Sequence, residues 1–345
     1  MLLLLLGVCS SAHAARIAER EKTDVIVLKN GDHLTGRIIS AQYGQLELSS
    51  RFSGPVSIEW RAIQSINSKY MFRVDQVGGQ HFEGLISTNS DRDELIVHTI
   101  TGDVAIPMEK VTQVLPYESN FWQRVYGSVS LGYSFAKISS VGQTSFEFNA
   151  RYAGPNLEAT LDASALATQN GSGTSTSQEE ISSTVFFPRP SGNFWGYIGD
   201  LQRNRSLGVD GRAVLGTVIG HHLVETATAR VAGYMGVVYD QEWPAGSSGG
   251  HSSLEGAFGG VWRVFQFDYP KVSLDSSLVV YPSITESPRY RVSANVSLST
   301  KISARFAIKL SGYLSYDSKP PEASATGTDY GVVTSLSYQF GTIVQ

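Results

Sequence analysis

From residue 124 onward, apolar and polar positions alternate along the chain. The clearest run is residues 330–340. Tyr330, Val332, Thr334, Leu336, Tyr338 and Phe340 take one set of positions, and Gly331, Val333, Ser335, Ser337 and Gln339 take the other. A period of two marks a strand with one face in an apolar medium and the other in a polar one. Residues 288–300 set Tyr290, Val292, Ala294, Val296 and Leu298 against Arg291, Ser293, Asn295, Ser297 and Ser299. In 303–317, Phe306, Ile308, Leu310, Leu314 and Tyr316 oppose Arg305, Lys309 and Ser311. The same pattern predicts twelve segments: 124–137, 143–153, 156–168, 178–187, 193–205, 208–222, 226–240, 251–267, 271–282, 288–300, 303–317 and 327–340. Each covers the roughly 9–11 residues that a tilted membrane-spanning strand needs.

A soluble β-sandwich would alternate as well, and three features count against it. Aromatics on the apolar face sit near segment ends, at Tyr152, Trp195, Tyr239, Tyr281 and Tyr338, as interfacial girdles do. The polar face is rich in Ser, Thr and Gly, as lumens are. Connections alternate between short turns and long polar stretches at 168–177, 243–250 and 319–326. The fold class expected at 124–340 is therefore a twelve-stranded antiparallel transmembrane β-barrel, with both termini on the periplasmic side. The register turns these charges into the lumen: Glu147, Arg151, Glu158, Asp162, Glu180, Asp200, Arg212, Arg230, Glu255, Arg263, Asp275, Arg291, Arg305 and Lys309. Their signs are close to balance, which suits cross-strand pairs that fill a barrel better than a one-sign selectivity ring. Leu336, Tyr338 and Phe340 form a closing strand that faces lipid and pairs with the first strand near Val125, Val129 and Leu131. Arg at Leu336 should then be costlier than Arg at Ser335 or Ser337.

Upstream, residues 29–38 match 77–86 at an offset of 48. The offset continues through Gly54/Gly102, Val56/Val104, Ile58/Ile106, Trp60/Met108, Ile63/Val111 and Ile66/Val114. A fixed period means two copies of one unit, predicted as β modules at 24–68 and 69–117. Asn30-Gly31-Asp32 and Gly78-Gly79 supply the positive φ of tight hairpins. Five short strands opened by a strand–NGD–strand unit resemble Sm-like barrels. That resemblance implies RNA binding, but the charges do not favour it. Copy one balances its ions and copy two is acidic around Asp91, Asp93 and Glu94, whereas a phosphate-binding surface needs surplus cations. No nucleic-acid partner is expected. His33 and His81 occupy equivalent hairpins with no Cys or second His nearby, so they read as surface histidines rather than metal ligands.

Residues 2–8 are a short apolar run, and Ala12 and Ala14 fit the signal-peptidase rule, predicting a signal peptide at 1–14. A lipoprotein signal ending at Cys9 is the alternative, although Val8 precedes it. Cys9 is the single cysteine, so cleavage after Ala14 leaves neither disulfides nor thiolate chemistry. Beyond residue 8 no apolar run reaches the 18 or more residues of a spanning helix, which leaves a closed barrel as the way across a membrane.

The last segments carry a specific likeness. Ser318-Lys319-Pro320-Pro321, Thr328-Asp329 and the final aromatic Phe340 resemble a bacterial family of salt-induced outer-membrane proteins that is a domain of unknown function. Where that family's first hairpin turns on Gly-Asn-Thr, this chain has Gly142-Gln143-Thr144. The likeness covers about 124–340 and implies a barrel in the outer membrane, without an activity.

The barrel region holds three histidines, His221, His222 and His251. The first two fall at a predicted periplasmic turn. His251 lies beside Ser252, but neighbours on a strand point to opposite faces, and acyl transfer needs nucleophile, base and orienting group in mutual reach. No catalytic, cofactor or metal residue is assigned. The expected protein is a non-enzymatic outer-membrane barrel, structural or a narrow pore. Its partners are outer-membrane lipid and lipopolysaccharide, the barrel assembly machinery and a periplasmic protein bound by the β modules. The competing expectation is an enzyme that modifies lipid or lipopolysaccharide.

Overall fold

The computed structural model describes residues 20–341 except 43, 53, 78–79, 118–120, 137–140, 155–156, 170–174, 190–191, 227, 247–248, 267–271, 287, 304 and 322–324. The proposed signal peptide with Cys9 lies outside the described residues. Everything described is β structure, short 3₁₀ turns or connections.

The first nine strands are β1 (Asp24–Leu28), β2 (His33–Gln42), β3 (Gln45–Ser50), β4 (Gly54–Glu59), β5 (Ile63–Gln76), β6 (His81–Asn89), β7 (Glu94–Thr99), β8 (Gly102–Pro107) and β9 (Val111–Pro116). The 48-residue repeat governs their pairing. Asp24 pairs with Gly36 and Ile26 with Ile66; 48 residues on, Phe72 pairs with Gly84 and Val74 with Val114. The repeated glycines are needed for close approach. A Cβ on Gly36 would stand 2.7 Å from the Ser49 carbonyl oxygen, and one on Gly84 2.2 Å from that of His98.

The predicted boundary at 68/69 falls inside β5. That strand is at once the last of copy one and the first of copy two, so the copies share one nine-stranded sheet. They also share one core, in which Ile26, Ile38, Leu46 and Ile66 meet Phe72, Ile86, Leu95 and Val114. Trp60 Nε1 donates to the Met108 carbonyl at 2.8 Å, across the repeat. The physical reason is surface to volume: a unit of under 50 residues buries too little apolar area alone.

The remaining strands are β10 (Val125–Ala136), β11 (Val141–Ala153), β12 (Glu158–Gln169), β13 (Ser175–Pro188), β14 (Asn193–Asn204), β15 (Val209–Glu225), β16 (Ala229–Pro244), β17 (His251–Gln266), β18 (Val272–Pro282), β19 (Tyr290–Lys301), β20 (Phe306–Asp317) and β21 (Thr328–Gly341). They form a closed antiparallel barrel of twelve strands. β21 closes on β10 through Leu131↔Leu336, Val129↔Tyr338 and Gly127↔Phe340. Closure into one barrel rules out the sandwich. Leu131, Leu161, Ile181, Leu215, Ile219, Met235, Phe258, Leu310, Val332 and Leu336 are exposed around its outside. An apolar belt on every side is a surface for lipid rather than water.

Two sequence expectations change here. Tyr281 faces the lumen and lies under the Arg291 guanidinium, 4.9 Å from its ring centroid, instead of in a girdle. Pairing of Leu223–Glu225's strand continues past the predicted turn, so His221 and His222 sit within β15.

Candidate functional site

The lumen holds a cavity of about 630 Å³. Its walls come from the barrel, and its floor from Arg73, Asp75, Gln113 and Leu115 of the N-terminal sheet. The barrel end nearest that sheet is where β11 meets β12, β13 meets β14, β15 meets β16, β17 meets β18 and β19 meets β20; the other strand junctions lie at the far end.

Arg73 holds the near end. Its guanidinium donates to the Gly154 carbonyl at 2.7 Å, to Glu158 at 3.2 Å and to Asp75 at 2.8 Å, with the residue only 9% exposed. Burial works against its charge, but Asp75 and Glu158 outweigh burial and keep it more firmly protonated than usual. Arg230 of β16 adds a second tie, donating to Gln113 at 3.0 Å.

The far half is filled by seven charged side chains, none more than 7% exposed: Arg212, Arg289, Arg291, Asp240, Glu242, Glu255 and Asp317. Arg212 bonds Glu242 and reaches Asp317 of β20 at 3.2 Å. Arg289 contacts Glu242 at 2.8 Å and Asp317 at 2.6 Å. Arg291 contacts Glu255 at 2.5 Å and Asp240 at 3.4 Å. Ions so far from water persist only because each faces opposite charge.

Beyond this network the turn Arg205–Leu207 folds across the mouth. Asn204 accepts from the backbone N–H of Ser206 and Leu207, while its amide donates to Asp329 of β21 at 2.8 Å. Thr326 Oγ1 donates to the Ser206 carbonyl at 3.2 Å. Gly208 ends the turn at φ 71°, where a side chain would be strained.

Of the lumen charges read from the sequence, Glu147 pairs with Lys309 at 2.6 Å and Arg263 with Asp275 at 2.5 Å. Asp162 accepts from Asn149 at 2.5 Å. Glu158 meets Arg73, and Arg151, Glu180 and Asp200 line the cavity. Arg212, Glu255 and Arg291 are in the network, and Arg230 reaches Gln113. Arg305 is a correction. It lies in the turn between β19 and β20, outside the alternation, and donates to the Tyr338 hydroxyl at 3.1 Å. In the closing strand Leu336 and Tyr338 are exposed on the outer face, and Phe340 stacks on Phe148 at 6.0 Å.

Several important residues escaped the sequence reading. Asp240, Glu242 and Asp317 carried a signal, because they alternate with outward Tyr239 and Tyr316. Arg73 and Asp75 carried another: copy one has Val25 and Val27 at the equivalent places. Arg289 lies in a connection and carried none. His251 faces Glu286 at the far end, with Ser252 turned to the opposite face from it. Among the described residues no cluster of His, Cys, Asp or Glu is arranged for a metal.

No curated protein matches this chain. A solved porin is similar over 92% of this chain and 98% of its own, at 7% identity and a TM-score of 0.29, too low to argue from. The model of a family of proteins of unknown function, DUF481, matches residues 139–340. That stretch is more than half of the chain and takes in nearly the whole barrel from β11 to β21, and so the chain belongs to the DUF481 family.

Proposed function

We propose that this protein is an outer-membrane protein whose barrel is non-enzymatic, structural or a narrow pore, and whose N-terminal sheet lies in the periplasm and engages a protein partner there. The observation that carries this reading is the closed barrel with apolar side chains all around its outside and paired ions within. With Arg305 outside and Asp240, Glu242 and Asp317 inside, carboxylates outnumber cations in the lumen, which supports a passage with a mild preference for cations. The outer belt suits lipid and the lipid part of lipopolysaccharide, and the closing strand, ending in Tyr338 and Phe340, suits delivery by the barrel assembly machinery. Neither the charge pattern of the sheet nor that of the lumen favours nucleic acid.

Planar-bilayer recording of the refolded protein tests it. Small, stable current steps support a narrow pore, and a silent but folded barrel supports the structural role. Sustained turnover of phospholipid or lipopolysaccharide that is lost on His251→Ala would replace this reading with an enzyme in the barrel.

A further inference from the structure

The outer face of the N-terminal sheet, away from its core and separate from the barrel, carries three side chains in a row. Ser87 of β6 has its Oγ 2.9 Å from His98 Nε2 on β7. His98 Nδ1 is 2.8 Å from Asp103 Oδ1 on β8. A carboxylate only accepts, so Nδ1 carries the proton and Nε2 is left to accept from the Ser87 hydroxyl. That tautomer is the one an acyl-transfer base requires.

The neighbours extend the row. Asn67 of β5 pairs directly with Ser87 on its other side, which puts both side chains on one face. A side-chain amide there is a donor for a developing oxyanion. Leu85 pairs with His98, Met71 with Leu85, and Ile96 with Ser87. Leu85 and Met71 are 41% and 38% exposed, an apolar strip beside the nucleophile.

We propose that Ser87, His98 and Asp103 form a hydrolytic site for esters with an apolar acyl group, the acyl chain lying on Met71, Leu85 and Ile96. Ser87 Oγ attacks the ester carbonyl and its proton passes to His98 Nε2. The carbon–oxygen bond to the leaving group breaks, and that oxygen takes the proton as the alcohol departs. Water, deprotonated by His98, then releases the acid and restores Ser87. Ser87 and His98 are catalytic residues; Asp103 is a positioning residue, acting through the imidazole.

The test uses the full chain refolded in detergent, with p-nitrophenyl butyrate for turnover and a fluorophosphonate for covalent labelling. Turnover and a label on the Ser87 peptide are expected, and both vanish in Ser87→Ala. His98→Gln lowers turnover by about 100-fold or more, the usual size of a general-base contribution. Asp103→Asn preserves the shape but disturbs the tautomer, so kcat falls while KM holds. All three positions lie at the surface, and amide exchange across β5 to β9 checks that the sheet of each variant folds. No label and no turnover in the wild type, or equal turnover in Ser87→Ala, overturns the proposal. Such a result leaves the barrel reading standing, because bilayer current does not depend on this face.

Discussion

At the scale of single residues, which way a side chain points decides what a substitution costs. Leu336 is 52% exposed on the outer face and Ser335 only 5% exposed inside. Leu336→Arg puts a charge in hydrocarbon and is expected to cost about 2–4 kcal/mol near the bilayer middle. The sequence reading offered Ser335→Arg as the mild counterpart, and the structure withdraws it. Ser335 pairs with Gly132 in a tight seam, where even a Cβ on Gly132 would meet the Thr334 carbonyl at 2.5 Å. Ser297, which lines the cavity, is the better control. Heat-modifiable mobility should show Leu336→Arg destabilised and Ser297→Arg close to wild type; equal losses would contradict the inside–outside assignment. In the network, Arg212→Ala leaves Asp240, Glu242 and Asp317 under-compensated, an expected loss of about 3–5 kcal/mol. Denaturant titration of folded mobility measures it, and a loss near zero would mean that water enters the network freely.

At the scale of elements, closure is what the barrel depends on. Removing β21 exposes the edges of β10 and β20, whose unpaired backbone groups each cost several kcal/mol in hydrocarbon. Truncation before Tyr330 should abolish insertion into liposomes. Among the described residues the last pair to β10 is Tyr126↔Gly341, and loss of 342–345 should be tolerated. The near-end tie behaves differently. Arg73→Ala removes two hydrogen bonds between sheet and barrel, those to Gly154 and Glu158, while leaving every barrel strand pair intact. Amide exchange should therefore rise at Gln113, Leu115 and the 154–157 connection without rising in β19 to β21. Faster exchange throughout would mean that the sheet is needed for the barrel to form.

At the scale of the whole molecule, one passage carries two closures, the sheet beneath it and the charged network with its turn above. Intact protein in planar bilayers is expected to pass little current, with a mild preference for cations in a salt gradient, because carboxylates outnumber cations along the lumen. Large steps with strong selectivity would show that the closures are absent in the membrane.

The alternation and the offset in the sequence were enough for the strand count of the barrel, most of its outward face and the repeat. Alternation is local: each residue's face follows from its neighbour's, and a one-residue slip would bury the wrong set. The 48-residue offset likewise dictated pairings that recur from Asp24↔Gly36 to Phe72↔Gly84. The assembled fold was needed to see that the two copies share β5 and one core, since a strand serving two units looks in sequence like two strands. It also decided which charges meet. Arg212 and Asp317 are 105 residues apart, and Arg73 and Glu158 are 85 apart, distances over which pattern is silent because barrel closure and docking set them. The row Ser87, His98 and Asp103 is the same lesson at short range: three strands carry one residue each, and the register between them places the hydroxyl, imidazole and carboxylate in line.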